Sequence, residues 1–236
     1  MEKKILVVFS IILLVITISF VLINNKYFYF NYFPRKSVQG VNNVLKSEIE
    51  PKLVNYFNEI GFMEFPDKVS MIVLKSEKIM EVWGKHEGDW KKINEYEIKA
   101  ASGVAGPKLR EGDRQVPEGI YRIIALNPNS SYHLSMKMNY PNEFDLEKAR
   151  KENRVNPGGN IFIHGKAVSI GCVAVGDEAI EELFYLVSKV GIENTRVVSA
   201  PYDFRKKQIY INKDKDIDWL DELYTKIDEE LGKFTK

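Results

Sequence analysis

A chain of 236 residues, 44% of them hydrophobic, suffices for one ordinary domain with appendages and a sizeable buried core. Its 34 basic and 33 acidic side chains leave a formal net charge of +1, which gives no electrostatic reason for a nucleic-acid partner. One cysteine excludes an internal disulfide framework and a multi-cysteine metal site, and His86, His133 and His164 form no paired-histidine motif, so no metal or other cofactor is expected.

Residues 5–23 carry no charge, and only Ser10, Thr17 and Ser19 interrupt the apolar run. As a helix at about 1.5 Å per residue, this stretch approaches the roughly 30 Å of a bilayer core. It predicts an uncleaved, single-pass membrane anchor rather than a secretory signal, because Asn24, Asn25 and Lys26 offer no small-residue cleavage site. Tyr27, Phe28, Tyr29, Phe30, Tyr32 and Phe33 follow, rings suited to the headgroup interface or to packing on the domain. Lys3 and Lys4 before the run face Lys26, Arg35 and Lys36 after it, so charge alone does not fix the orientation. The expected anchor segment is 1–33.

A helical spacer is expected over 34–66, where Val41, Val44, Leu45, Ile49, Leu53, Phe57 and Ile60 recur at helical spacing and Pro51 is expected to break the run or start a second helix. The period then changes. Residues 69–74, 79–83 and 90–100 read as strands, as do 120–126 and 132–138, on either side of a glycine- and proline-rich connection over 102–119. That connection lacks Gly-Lys-Ser/Thr and a following helix pattern, which excludes a phosphate-binding loop. His86 falls in an exposed turn. Residues 140–160 form a long polar connection of the kind that serves as a lid, with a helical piece over 145–150. After Gly176 an apolar stripe from Ala179 to Val190 predicts a packed helix; a closing strand follows over 196–201, and Trp219, Leu220, Leu223, Tyr224, Ile227 and Leu231 mark a C-terminal amphipathic helix.

The chemistry concentrates in residues 161–173. An apolar strand-like run ends in His164-Gly165, a short link follows, and Cys172 comes directly after Gly171. Free cysteine has a pKa of about 8.5 and only the thiolate attacks, so a thiol nucleophile needs a base beside it. A chain folding back after the strand would bring Cys172 to His164, with Gly165 and Gly171 allowing close approach and unusual dihedrals. A structural histidine and an inert buried thiol are the competing reading. Backbone N–H groups around Gly171 and Cys172 are the natural donors for a tetrahedral oxyanion. Ser169 is placed to bond within the turn or to substrate, and His133 to orient His164, to touch substrate, or to sit satisfied in the sheet.

His-Gly followed by Ser-x-Gly-Cys-Val resembles the active-site signature of the YkuD-type L,D-transpeptidase domain, in particular its YafK-like murein-transpeptidase branch. Gly106-Pro107-Lys108, Gly112-Asp113, Val116 to Tyr121, Asn127-Pro128, Tyr132 to Ser135 and Tyr140-Pro141-Asn142 extend the resemblance over most of 69–204. It implies an α+β, mainly β fold, an L,D-transpeptidase-like β-sandwich or mixed sheet with flanking helices, occupying 67–212 after the N-terminal transmembrane helix; 213–236 pack on it as the C-terminal helix. It implies Cys172 as nucleophile, His164 as general base and acid with its tautomer held by a nearby backbone carbonyl, and an oxyanion site at Gly171. Gly165, Ser169, His133, Ser135 and Tyr140 form the expected substrate-binding set.

The implied partners are peptidoglycan stem tetrapeptides, cut between the third residue and the terminal D-amino acid, which places the domain outside the cytoplasm. Many members have a longer loop before the Ser-x-Gly-Cys piece and an arginine two residues after the cysteine, where this chain has Ala174. Transfer to an amine and hydrolysis by water therefore both stay open, and a non-catalytic wall-binding module and a cysteine protease acting on ordinary L,L-peptides are the readings from other classes.

Overall fold

The computed structural model describes residues 11–21, 35–210 and 217–235. The chain divides into two units, Met1–Ser37 and Val38–Lys236. In the first, residues 11–21 form a helix (α1) whose side chains are exposed. The rest of the expected 5–23 span and the aromatic run 27–33 lie outside the described residues, and among the described residues no helix is long and apolar enough to cross a membrane.

In the second unit nine strands form one mixed sheet: β1 (Lys68–Leu74), β2 (Ile79–Lys85), β3 (Lys91–Glu97), β4 (Ala100–Ala101), β5 (Gly119–Ser130), β6 (His133–Met138), β7 (Phe162–His164), β8 (Val173–Ala174) and β9 (Thr195–Ala200). Their order is β3-β2-β1-β9-β5-β6-β7-β8-β4, with β1–β9 and β7–β8 parallel and the other pairs antiparallel. The twelve-residue β5 joins the two halves: Gly119 to Arg122 pair with β9, and the pairing passes to β6 from Ile123 onward through register shifts. The sequence reading treats 90–100 as one strand, yet β3 and β4 lie at opposite ends of the order. Only Ile98 and Lys99 separate them. At about 3.3–3.6 Å per residue that link is short, so the sheet must curl until its two edges nearly meet. The Lys99 N–H donates to the Ala174 carbonyl and the Ile98 N–H to the Lys78 carbonyl, which pins the link at both edges. The sandwich-like character is therefore that of one curled mixed sheet.

Strand β1 is buried on both faces, as befits a central strand. Its Val69, Met71 and Val73 point into the main core, and Ile72 and Leu74 into a second cluster on the other face. The main core is closed by α2 (Val38–Glu59) and α4 (Asp177–Val190), through Ile49, Leu53 and Phe57 from one and Ile180, Leu183, Phe184 and Val187 from the other. The second cluster is closed by α5 (Leu220–Leu231), whose Leu220, Leu223, Tyr224, Ile227 and Leu231 are buried as the stripe predicts.

A second expectation is overturned. Pro51 neither breaks nor starts a helix, because α2 runs through it uninterrupted. Pro51 is exposed while Ile49 and Leu53 on either side are about 1% exposed, so packing on both flanks offsets the missing N–H. Val44, read as part of the apolar stripe, is 77% exposed.

Two loops frame the site. Residues 102–118 are gathered around buried Lys75, whose Nζ donates to the carbonyls of Val104, Gly106 and Val116 and pairs with Glu118 at 2.9 Å. Glu118 also accepts from the Gly106 N–H and the Tyr224 hydroxyl. The expected lid holds α3 (Glu143–Lys151), capped by the reciprocal Asn142–Asp145 bonds. Its remainder is tied down by Tyr140 Oη to Pro157 O, Arg154 Nη1 to Leu109 O and Glu111 N to Asn156 O.

Candidate active site

Strand register builds one side of the site. Asn127 faces Ser135, Ser135 faces His164, and His164 faces Ala174, a single row across β5, β6, β7 and β8. Directly paired residues share a sheet face, so these side chains lie together. Period-two alternation returns Phe162 to the same face, and Cys172, two residues before Ala174, reaches it as well. Ser130, Tyr132, Ser135, Phe162, His164 and Cys172 line one cleft of about 210 Å³. The structure thus brings Cys172, His164 and Ser135 together.

His164 is 2% exposed, at the end of β7. Its Nδ1 lies 2.6 Å from the Gly165 carbonyl oxygen. A carbonyl only accepts, so this contact places the proton on Nδ1 and leaves Nε2 with its lone pair as the basic nitrogen. The Tyr132 ring covers the imidazole at 4.7 Å between centroids. Burial pushes the imidazole below its ordinary 6.5, against the pull of the Gly165 carbonyl.

Cys172 is half-buried, its Sγ 3.9 Å from the Asn160 carbonyl oxygen. Burial raises the thiol above its ordinary value, opposed by the Phe162 N–H and by the charge of Lys108. Lys108 is itself buried and held by Asp113 at 2.6 Å and the Arg110 carbonyl at 2.8 Å. Both shifts favour the uncharged forms, a neutral thiol and a neutral imidazole, over a thiolate and an imidazolium.

The turn carrying Cys172 is fixed by its own bonds. Ser169 Oγ donates to the Cys172 carbonyl at 2.6 Å, which makes Ser169 a brace of the turn. Gly171 has φ of +99°, in the region that favours glycine, and its N–H donates to Ser102 Oγ at 2.6 Å. The Gly171 N–H expected to meet an oxyanion therefore already has an acceptor.

The other expected site residues fall into different places. Gly165 is required by crowding, since a Cβ there would lie 2.5 Å from Asp177 Oδ1 and 2.8 Å from the Tyr132 carbonyl. His133 takes φ of +74° at the hairpin, and its Nε2 meets Glu181 of α4 at 2.5 Å, so it is tied to that helix. Tyr140 is buried and does not line this cleft; its hydroxyl donates to the carbonyls of Lys108 and Pro157. His86 pairs with Glu64 and Asp67. Ser102 and Tyr132 were not foreseen as site residues. Tyr132 sits within the quoted motif and could have been suspected as a cover for the histidine; nothing local marks Ser102, whose partner is 69 residues away. Among the described residues no three His, Cys, Asp or Glu side chains are grouped to hold a metal ion.

Residues 67–198 match the model of the L,D-transpeptidase catalytic domain, YkuD. YafK of Escherichia coli (strain K12), which carries an L,D-transpeptidase name, is 32% identical over 118 residues, 49% of this chain and 46% of YafK. The chain spans about half the length of the curated relatives it matches. Among solved structures, the helical cell shape determining protein Pgp2 from Campylobacter jejuni aligns over 72% of this chain and 61% of its own, at 24% identity and a TM-score of 0.48. Bd1075 of Bdellovibrio bacteriovorus aligns over 68% and 55%, at 22% identity and a TM-score of 0.43. With its catalytic-domain model matched over more than half its length, the chain belongs to the YkuD family of L,D-transpeptidase catalytic domains.

Proposed function

We propose that this chain is a peptidoglycan L,D-transpeptidase that works by acyl transfer from stem tetrapeptides through a thioester on Cys172. The observation that carries this reading is the 2.6 Å contact from His164 Nδ1 to the Gly165 carbonyl, which leaves Nε2 as the base in the cleft that Cys172 also lines. In the first step Sγ attacks the carbonyl carbon of the bond before the terminal D-amino acid while His164 Nε2 takes the thiol proton. The tetrahedral intermediate collapses as the same nitrogen returns a proton to the departing amine, which a poor leaving group requires. An incoming amine, deprotonated by His164, then takes the acyl group and makes a crosslink; water in its place trims or cleaves the stem.

Anchoring by residues 5–23, with the catalytic domain on the wall side of the membrane, is part of the proposal. The helical state of residues 11–21 and their exposed side chains support it. Release of the full chain by salt or alkali without detergent would remove the anchor from the account.

The deciding experiment incubates the chain with purified muropeptides bearing tetrapeptide stems and separates the products. Crosslinked dimers that vanish with Cys172→Ala are the expected result, and shortened stems that vanish with it would make the enzyme a hydrolase. Unchanged muropeptides, with wall binding retained by Cys172→Ala, would overturn both in favour of a binding module, and cleavage of L,L-peptides in favour of a protease.

A further inference from the structure

We infer that Ser102 is the positioning residue of the nucleophile turn, the side chain that sets how the backbone at Gly171 and Cys172 receives a developing oxyanion. Ser102 follows β4 directly, and β4 pairs with β8, so the strand that ends at Ala174 brings Ser102 to the turn. Its Oγ takes the Gly171 N–H at 2.6 Å, and its own carbonyl takes the Val116 N–H. Gln115 completes the clamp. Its carbonyl lies 3.4 Å from where a Gly171 Cβ would be, its side chain accepts from the Val104 N–H, and it fills the space where a Gly103 Cβ would sit at 1.9 Å. The turn at Gly171 is thus pressed between a hydroxyl and a carbonyl from one loop, and that loop is anchored by the buried Lys75–Glu118 pair.

The consequence concerns the oxyanion, and it rests on the acyl-transfer reading only in assuming that Cys172 attacks a carbonyl. With the Gly171 N–H directed to Ser102, the Cys172 N–H is the donor of the pair left for the substrate oxygen, aimed by the orientation that Ser102 imposes on the peptide before it. Donors of this kind act through fixed geometry, so loosening their support slows steps that form an oxyanion and spares steps that do not.

Two probes on the full chain separate these effects without any assumption about peptidoglycan. Acylation of Cys172 by p-nitrophenyl acetate passes through a tetrahedral oxyanion; alkylation by iodoacetamide does not. Ser102→Ala is expected to slow acylation about tenfold or more while the alkylation rate and its pH profile stay within twofold, and Ser102→Thr, which keeps the hydroxyl, is expected to restore acylation. The inference is overturned if both rates fall by the same factor, if neither changes, or if acylation rises in Ser102→Ala, the last meaning that Ser102 masks a donor. Normal probe chemistry with unaltered muropeptides would instead defeat the proposed substrate and leave Ser102 in its role.

Discussion

On the His164 side of Cys172 the site follows from strand register, whereas on the Gly171 side it follows from a loop shaped by side chains far away in sequence. Asn127, Ser135, His164 and Ala174 share a row because β5 to β8 pair residue by residue, and a one-residue slip in any of these strands would turn its own member of the row away from the cleft. Gly171 is placed instead by Ser102, Gln115 and, through the loop, Lys75 and Glu118. Backbone pairing spreads its stability over many bonds, while the loop side depends on a few buried polar contacts. His164 is set by the sheet and the Gly171 turn by the loop, so the two can be broken separately.

The largest effect is expected at the reacting atoms. Cys172→Ala and His164→Ala should each lower turnover of muropeptides by at least about a thousandfold with the circular dichroism spectrum unchanged, in keeping with the loss of a nucleophile or its base. A residual rate within tenfold of wild type would mean that the chemistry lies elsewhere.

Next come the supports of the two sides. Lys75→Met leaves Glu118, whose side chain is 0% exposed, buried without its cation, and should cost about 3–5 kcal/mol in chemical denaturation. Phe57→Ala should cost a similar amount, about 3–5 kcal/mol, by opening a cavity between α2 and the sheet. Of the two, only Lys75→Met should also slow acylation of the remaining folded enzyme, because only it reaches the loop that holds Ser102. Gly165→Ala acts on the other side: the new Cβ meets Asp177 and the Tyr132 carbonyl, costs about 1–3 kcal/mol, and moves the carbonyl that fixes the His164 tautomer, so turnover should fall with little change in iodoacetamide alkylation measured above pH 9.

Titration gives smaller effects. His164 is held below 6.5 by burial, so the acid limb of activity should have its midpoint below 6.5, with the plateau reached as the neutral imidazole forms. The unfolded chain takes that proton more readily than the folded one, so His164 contributes a loss of stability as pH falls below 6.5. A midpoint above 6.5 would contradict the downward shift of His164. Asp145, pushed up to about 6 by burial, has the opposite sign: its folded form holds a proton that the unfolded chain releases near 3.8, so the stability it contributes is present below 3.8 and lost as pH rises through 6. Asp145→Asn should flatten the stability profile over that interval, readable in thermal midpoints.

The contrast between the two sides also explains what the sequence disclosed. His164, Cys172 and the β5–β6 hairpin were legible because they lie in short apolar runs with a fixed side-chain period, and the stripes of α4 and α5 because burial follows helical spacing. The passage through Pro51 was not, since tertiary packing by Ile49 and Leu53 overrides a local breaker. The curl that joins β3 to β4 was hidden because two residues between strands look the same whether the strands are neighbours or opposite edges. His133 alternates with Ser135 in sequence, but its positive φ at the hairpin and its bond to Glu181 of α4 come from tertiary placement that the alternation does not show. Ser102 was illegible for the most general reason: a side chain bonding a backbone N–H 69 residues away leaves no periodic trace.

The most direct test of the central claim is intact-protein mass spectrometry of the chain mixed with a stem tetrapeptide and quenched in acid within the first turnover. The account predicts a mass increase equal to the tetrapeptide less the free D-amino acid it releases, mapped to Cys172 and absent in Cys172→Ala and His164→Ala. Product formation by folded wild-type chain with no adduct at any quench time, or with the adduct on another residue, would contradict a thioester on Cys172.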